Sequence, residues 1–380
     1  MRKYLTLVTC LAMAACQASL TTNGPESPEA VPEETLQVQL ILPDSPHTKV
    51  AEAETNESAV RSLQIFVFKD AGTRNPAQNL RETDKRAADG ETTLTLNTYV
   101  GLKKVWALVN APRQSFANEQ ELLSHYSMLE DNSATALVMT GSANAIVGEN
   151  NTAASVGAVT TVPITVSHLG ARISIKKVKV DFSATSLEGC YLDIKEVYIL
   201  NAVNSISLAG TGRTKAELGS SANWYNLEAW DASLPTAAGA ILGDRGNMGI
   251  TIGPTTGTVD LNRYFYVYPN VSTAEDDNTG AQASARLTSM IVHGYIRGQA
   301  GRNLGDNLAH AEESYYCLDI PKSSTGATLE RNHTYDIEEI TITLPGGPSD
   351  QPGDRPQFGK VTANVTVSQW GGHTTLTYEL

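Results

Sequence analysis

Short runs of alternating apolar and polar residues recur along the chain, and they constrain its fold more than any other feature. The first is TLQVQLIL, and later ones include VRSLQIFVF, ETTLTLNTYVG, LKKVWALVNAP and KVTANVTVSQW. Loops rich in Gly, Asn, Ser and Thr separate them. Alternation with a period of two is typical of half-buried strands. The sequence therefore predicts a mainly β fold of two β-sandwich domains in tandem, with a little helix.

One segment has the spacing of a helix instead. In NEQELLSHYSML, residues 118–129, leucines recur at helical spacing and Asn118 is suited to cap the N-terminus. The segment AVTTVPITVSHLGARISIKKVKVDF contains two predicted strands, with a domain boundary near residues 167–170. This boundary divides the folded part of the chain into an N-terminal domain, residues 50–167, and a C-terminal domain, residues 168–370.

The first residues have the pattern of an export signal. Arg2 and Lys3 precede the apolar run YLTLVTCLAMAA, which ends directly before Cys16. The run is shorter than the about 20 residues that a membrane-spanning helix needs, so residues 1–15 are predicted to be a signal peptide. The ending LAMAAC looks like a bacterial lipobox, in which Cys16 is lipidated and becomes the new N-terminus. The alternative is an ordinary signal peptide cut near Ala15.

Charge and cysteine content narrow the possible partners. The 28 Lys and Arg residues stand against 41 Asp and Glu residues, a formal net charge of −13. This charge argues against binding nucleic acid or an anionic membrane surface, so membrane contact is expected only through the lipid on Cys16. Of the four cysteines, Cys190 and Cys317 remain after the leader. Export permits a disulfide between them, but both lie in apolar stretches where buried thiols are also common.

The sequence offers no arrangement of residues that is typical of catalysis. It contains no HExxH, no GxSxG and no Walker spacing, and its seven histidines are scattered. We therefore expect no catalytic residues, no metal and no cofactor. Tyr264, Tyr266 and Tyr268 alternate in RYFYVYP and could stack on a carbohydrate, but a half-buried strand is the favoured interpretation.

The C-terminal part resembles a known family. LERNHTYDIEEITITLPG, followed by a loop rich in Pro, Gly and Asp and then by VTANVTVSQW, resembles the end of the major fimbrillins of the type V pilus of Bacteroidia. VRSLQIFVF, GLKKVWALVNA and ARISIKKVKVDFSATS fall where the family has comparable segments. The resemblance implies transthyretin-like β-sandwich domains. The residues that match the motif are Glu330, Arg331, Asn332, His333, Tyr335, Asp336, Ile337 and Trp370.

The resemblance also implies a route of assembly. Fimbrillins are exported as lipoproteins, and a surface protease then cuts after a basic residue in the loop behind the first strand. The matching position here is Lys49, so the cut falls between Lys49 and Val50, and residues 16–49 are a lipidated propeptide. The family usually has arginine at this position, so we expect a trypsin-like maturation protease that accepts lysine. Arg61 is the nearest arginine, but it lies at the edge of the next predicted strand.

After the cut, the first strand leaves and the C-terminal strand of another subunit fills its groove. The apolar row of the displaced strand is Leu36, Val38, Leu40 and Leu42, and the donor strand, residues 371–380, carries Leu376, Tyr378 and Leu380. The expected product is a head-to-tail homopolymer in a cell-surface fimbria, with anchor and tip fimbrillins as further partners. The precursor would be anchored to the outer membrane, with its first strand still in place. A tip or accessory fimbrillin and a surface glycan-binding lipoprotein are the alternatives.

Overall fold

Strands dominate the computed structural model, which describes residues 33–43, 57–148, 159–272, 287–298, 312–320, 328–347, 361–370 and 375–379. Cys16, Lys49, Val50 and Leu380 lie outside the described residues. The helices are α1 (Glu119–Ser124), α2 (Lys215–Leu218) and α3 (Thr236–Leu242). The strands are β1 (Glu33–Ile41), β2 (Leu63–Lys69), β3 (Arg81–Ala87), β4 (Thr93–Tyr99), β5 (Gly101–Val109), β6 (Tyr126–Met128), β7 (Met139–Val147), β8 (Thr160–Thr165), β9 (Ser167–His168), β10 (Ala171–Asp181), β11 (Tyr191–Leu200), β12 (Ala202–Val203), β13 (Ser205–Ser207), β14 (Trp224–Tyr225), β15 (Gly243–Ile252), β16 (Thr256–Val267), β17 (Thr288–Arg297), β18 (Glu312–Ile320), β19 (His333–Ile342), β20 (Val361–Gln369) and β21 (Thr375–Glu379).

The first half of the chain forms two sheets that share one apolar core. The smaller sheet has the order β4-β1-β8, and the larger one has the order β3-β2-β5-β7-β9. The alternation of each strand turns one row of side chains towards the other sheet. These rows form a single buried cluster, which includes Leu36, Val38, Leu63, Ile65, Leu96, Val105 and Ile164. The mainly β, sandwich-rich fold that the sequence predicts is confirmed.

The second half repeats this layout with longer strands. One sheet has the order β16-β10-β19-β20-β21, and the other has the order β15-β11-β17-β18. Their facing rows form a larger cluster, which also includes Phe66, Phe68 and Trp106 from the outer face of the first half's larger sheet. The elements from Glu33 onward therefore form one compact unit. The division into two separate domains near residues 167–170 stays a prediction.

Helix content is lower than the sequence pattern indicates. The Asn118 side chain accepts a hydrogen bond from the backbone N–H of Glu121 and caps α1 as predicted. The helix nevertheless ends at Ser124, and the prediction of a helix as far as residue 129 is wrong. His125 is extended, and β6 pairs with β13 from a distant part of the chain, so tertiary pairing overrides the local spacing. None of the helices in the described part of the chain is long and apolar enough to cross a membrane.

Candidate functional site

The first strand occupies the centre of its sheet. β1 runs antiparallel to β4, with Leu36 opposite Leu96, and parallel to β8, with Val38 opposite Val162. Hydrogen bonds to neighbouring strands therefore lie along both of its edges. In this three-stranded sheet β4 and β8 each pair with β1 and not with each other. Removing β1 would leave two facing strand edges without partners, and unpaired edges readily accept another strand.

The side chains of β1 also close the core beneath the sheet. Leu36 and Val38 are fully buried, Leu40 is 7% exposed, and Leu42 packs against the same cluster just beyond the end of the strand. Gln37 and Gln39 alternate with them and are more exposed. Each buried Leu or Val contributes about 1.5–3 kcal/mol, so the three residues of β1 contribute roughly 5–9 kcal/mol. A replacement strand would have to supply a similar apolar row.

The chain returns to the end of β1 soon after leaving it. The Ser58 hydroxyl donates a hydrogen bond of 3.0 Å to the backbone oxygen of Pro43. The two ends of the intervening segment are therefore held together. Lys49 and Val50 belong to that segment and lie outside the described residues.

The first described residue after this segment, Glu57, has a buried carboxylate. Its side chain is fully buried and contacts the Arg172 guanidinium of β10 at 3.1 and 3.3 Å. The Tyr266 hydroxyl of β16 donates a hydrogen bond of 2.6 Å to the same carboxylate. The backbone oxygen of Glu57 lies 3.1 Å from Nε2 of His168 in β9. Glu57 is thus fixed by three side chains from distant parts of the sequence.

A second carboxylate completes the ion cluster. Asp336 of β19 lies 3.5 Å from Arg172 and accepts a hydrogen bond of 2.5 Å from the Ser174 hydroxyl. Burial by itself would lower the pKa of Arg172, but the carboxylates of Glu57 and Asp336 raise it above its usual value. Arg172 therefore stays charged inside the protein. We call Glu57, Arg172, Asp336, His168 and Trp370 the junction cluster.

His168 is uncharged at neutral pH, in contrast to Arg172. Burial, with the positive charges of Arg331 and Arg172, lowers the pKa of its imidazole to about 3. The ring of Trp370 stacks on it, with ring centroids 4.0 Å apart and planes at 22°. Trp370 follows β20 directly, and its backbone N–H donates a hydrogen bond of 2.7 Å to the Asn332 oxygen. The chain that continues to the C-terminus is therefore fixed at this point.

The fimbrillin-like motif takes part in this arrangement through its backbone turn. Asn332 has a φ of 56°, and its side chain accepts a hydrogen bond of 3.2 Å from the His168 backbone N–H. Its own N–H donates to the Gly170 oxygen at 2.8 Å. Asparagine tolerates this left-handed conformation better than most residues. The motif thus joins the turn before β19 to the step between β9 and β10.

The C-terminal strand lies in the sheet of its own chain. β21 pairs antiparallel with β20, with Leu376 opposite Val367 and Tyr378 opposite Val365. It is the edge strand and has one neighbour. Leu380 lies outside the described residues. The expectation that residues 371–380 serve another subunit stays a prediction, and in this structure β21 extends its own chain's sheet.

The remaining predicted residues have structural surroundings. Cys190 is buried in the larger cluster, whereas Cys317 packs beside Tyr198 and Ile291 in a small separate one. A disulfide between them stays a prediction. Tyr266 and Tyr268 are 3% and 0% exposed, so RYFYVYP does not present an open aromatic platform. Among the residues that the structure describes, no group of His, Cys, Asp and Glu is arranged to hold a metal ion.

Sequence reasoning missed the junction cluster. Glu57 lies in AEAETNESAV, which looks like a solvated acidic loop, and its partners are 115 and 209 residues further along the chain. Arg172 carried a weak signal, because an arginine near the start of an apolar strand needs a buried counter-charge.

Comparison with known proteins agrees with the fold. A family model described as "Major fimbrial subunit protein (FimA)" matches residues 35–176, which include most of β1 and the first half of β10. No curated protein sequence matches the chain significantly.

Three solved structures resemble the chain over nearly its whole length. A fimbrilin from Porphyromonas gingivalis aligns with a TM-score of 0.60 and 17% identity, covering 89% of this chain and 97% of that one. A candidate cell adhesion protein from Bacteroides eggerthii gives 0.57 and 16%, covering 89% and 96%. Another from Parabacteroides distasonis gives 0.55 and 16%, covering 90% and 98%. At these identities the structures show a shared fold. Together with the family match over residues 35–176, they support a FimA/Mfa-like fimbrillin.

Proposed function

We propose that this chain is a fimbrillin, a stalk subunit of cell-surface fimbriae that supports adhesion. In the proposed route it is exported as a lipoprotein on Cys16, anchored to the outer membrane as a precursor, and cut between Lys49 and Val50. It then polymerises when its C-terminal strand enters the groove of the next subunit. The observation that carries the proposal is the position of β1, which is central in its sheet and precedes Lys49 in the chain.

A cut at Lys49 would change how β1 is held. In the proposed precursor, β1 belongs to the propeptide, residues 16–49, and is joined to the rest of the protein only through the segment that leads to Glu57. After the cut only non-covalent contacts would retain it. Once β1 is a separate piece, its release gains translational and rotational freedom worth several kcal/mol, which offsets much of its burial energy.

The C-terminal strand has the composition of a replacement. Leu376, Tyr378 and Leu380 have the same spacing as Leu36, Val38 and Leu40. At its present position β21 pairs with one neighbour, whereas a strand between β4 and β8 pairs with two. Moving from an edge to the groove therefore adds a second row of backbone hydrogen bonds. A donor strand and a groove on one molecule form a heterologous contact, which propagates into a filament.

A tip or accessory fimbrillin is the alternative role within the family. A tip subunit has no subunit beyond it and needs no donor strand, so the apolar row after Trp370 favours the stalk. Anchor and tip fimbrillins would then be the partners at the filament ends.

N-terminal sequencing of assembled fimbriae tests the proposal directly. We expect the sequence to begin VAEAE, at Val50. Fimbriae whose subunits begin at Cys16 or retain TLQVQLIL would contradict it, because β1 would still be covalently attached to the assembled subunit.

A further inference from the structure

We infer that Glu57 is a positioning residue that anchors the N-terminal end of the matured chain. It sets the boundary between the piece that leaves with β1 and the piece that stays. The inference rests on the proposed cut between Lys49 and Val50, because Glu57 is the first described residue after that cut and its side chain is fully buried. It adds a role to a residue that lies outside both the groove and the donor strand.

The groups that hold Glu57, two at its carboxylate and His168 at its backbone oxygen, belong to the part of the protein that stays. Arg172 lies on β10, Tyr266 on β16 and His168 on β9. None of these three strands pairs with β1. The departure of β1 therefore removes none of these three contacts. The hydrogen bond from Ser58 to Pro43 is different, because Pro43 precedes the cut and leaves with β1.

The anchor is strong because a charge is buried with it. Arg172 is 1% exposed, and its nearest carboxylates are Glu57 at 3.1 Å and Asp336 at 3.5 Å. Withdrawing Glu57 would leave a buried guanidinium with half of its negative partners, and removing one partner of a buried pair is strongly destabilising. The matured chain is therefore held in place at Glu57.

The same contacts explain why a cut after Arg61 would not leave an anchored chain. Such a cut would detach Glu57 together with β1 and leave Arg172 with Asp336. Arg61 is also poorly placed for a protease, since its backbone N–H and that of Ser62 both donate to the Asn110 side chain, at 2.8 and 3.2 Å. Productive cuts on this reasoning lie between Pro43 and Glu57.

Hydrogen exchange on the precursor before and after cleavage tests the anchor. The purified precursor is cut at Lys49 in vitro with a lysine-specific protease, and exchange is measured in peptides that cover residues 57–62. After the cut, we expect these peptides to exchange at least tenfold faster in the Glu57→Gln variant than in the wild type. Before the cut, the increase should be much smaller, because the hydrogen bond between Ser58 and Pro43 still ties this segment to β1. The matched control is Glu338→Gln, which breaks an exposed ion pair with Lys176 across the neighbouring strands β10 and β19.

A second variant separates anchoring from the cost of a buried charge. Glu57→Gln combined with Arg172→Met and Asp336→Asn removes all three charges of the cluster, so the melting temperature should recover towards that of the wild type while exchange at residues 57–62 stays fast after the cut. Exchange within twofold of the control in either variant overturns the anchor. Because the cut is made in vitro, this result does not depend on the cell's protease. Fimbriae that begin elsewhere than Val50 would overturn the proposed function and leave the exchange result standing.

Discussion

Truncation of one β1 side chain should weaken the precursor and spare the filament. Leu36 is fully buried between the two sheets of the first half. Changing a buried leucine to alanine costs about 2–5 kcal/mol, through lost transfer energy and the cavity that remains. That is a large share of the roughly 5–15 kcal/mol by which folded proteins are stable. If β1 leaves on maturation, the filament does not contain Leu36, and the substitution should not change the stability of the filament.

The matched control is Leu94→Ala. Leu94 lies on β4, is 5% exposed and packs in the same cluster, but it belongs to the part of the chain that stays. Denaturant unfolding of the purified precursors should show a loss of about 2–5 kcal/mol for both variants. Denaturant or heat dissociation of isolated fimbriae should show a loss for Leu94→Ala, and the Leu36→Ala fimbriae should match the wild type.

One result would refute this reasoning. If Leu36→Ala fimbriae dissociate as easily as Leu94→Ala fimbriae, the side chain of Leu36 is still packed in the filament, and β1 has not been replaced. A Leu36→Ala precursor as stable as the wild type would instead show that β1 is not part of the precursor core.

Three further predictions concern processing, assembly and pH. Lys49→Ala should trap the lipidated precursor, seen as a larger band on immunoblots; mature protein that still begins at Val50 would show that the cut does not depend on this lysine. Deletion of residues 371–380 should give an exported, folded subunit without fimbriae, and long fimbriae under the electron microscope would count against strand donation. The lowered pKa of His168 means that the folded state keeps the ring neutral while the unfolded chain takes up a proton below about pH 6.5. Stability should therefore fall from about pH 6.5 towards pH 3, by up to about 1.4 kcal/mol per pH unit from this group. His168→Gln should flatten that slope in denaturant titrations, and an unchanged slope would assign the acid sensitivity to other groups.

Strands with an apolar row were predictable, and strands without one were not. β1 and β4 follow from alternation, because each turns one face to a core, and β2 and β5 follow from longer apolar runs, because each is buried on both faces. β3 has the sequence RETDKRA, whose charged residues suit a sheet edge and give no period-two apolar signal. The over-long helix around residues 118–129 shows the reverse error, in which correct local spacing is overruled by a partner strand.

The candidate site was predictable only where a local pattern carried it. The spacing of Leu36, Val38 and Leu40 identifies a strand with one buried face, but the sequence does not reveal that its neighbours are β4 on one side and β8 on the other. Glu57 gave no signal at all, since a buried acid and a solvated acid look alike in a sequence. Its identity as an interior residue depends on contacts with strands more than a hundred residues away.

The central position of β1 has a mechanical consequence. A strand in that slot is aligned with seven residues of β4 and six of β8. Force along the strand axis would load both ladders in shear, so many backbone hydrogen bonds would resist together. Force that peels an edge strand such as β21 from β20 breaks the bonds one after another. A donor strand in the groove between β4 and β8 can therefore bear much more tension than the same peptide at a sheet edge, as a filament pulled by fluid flow requires.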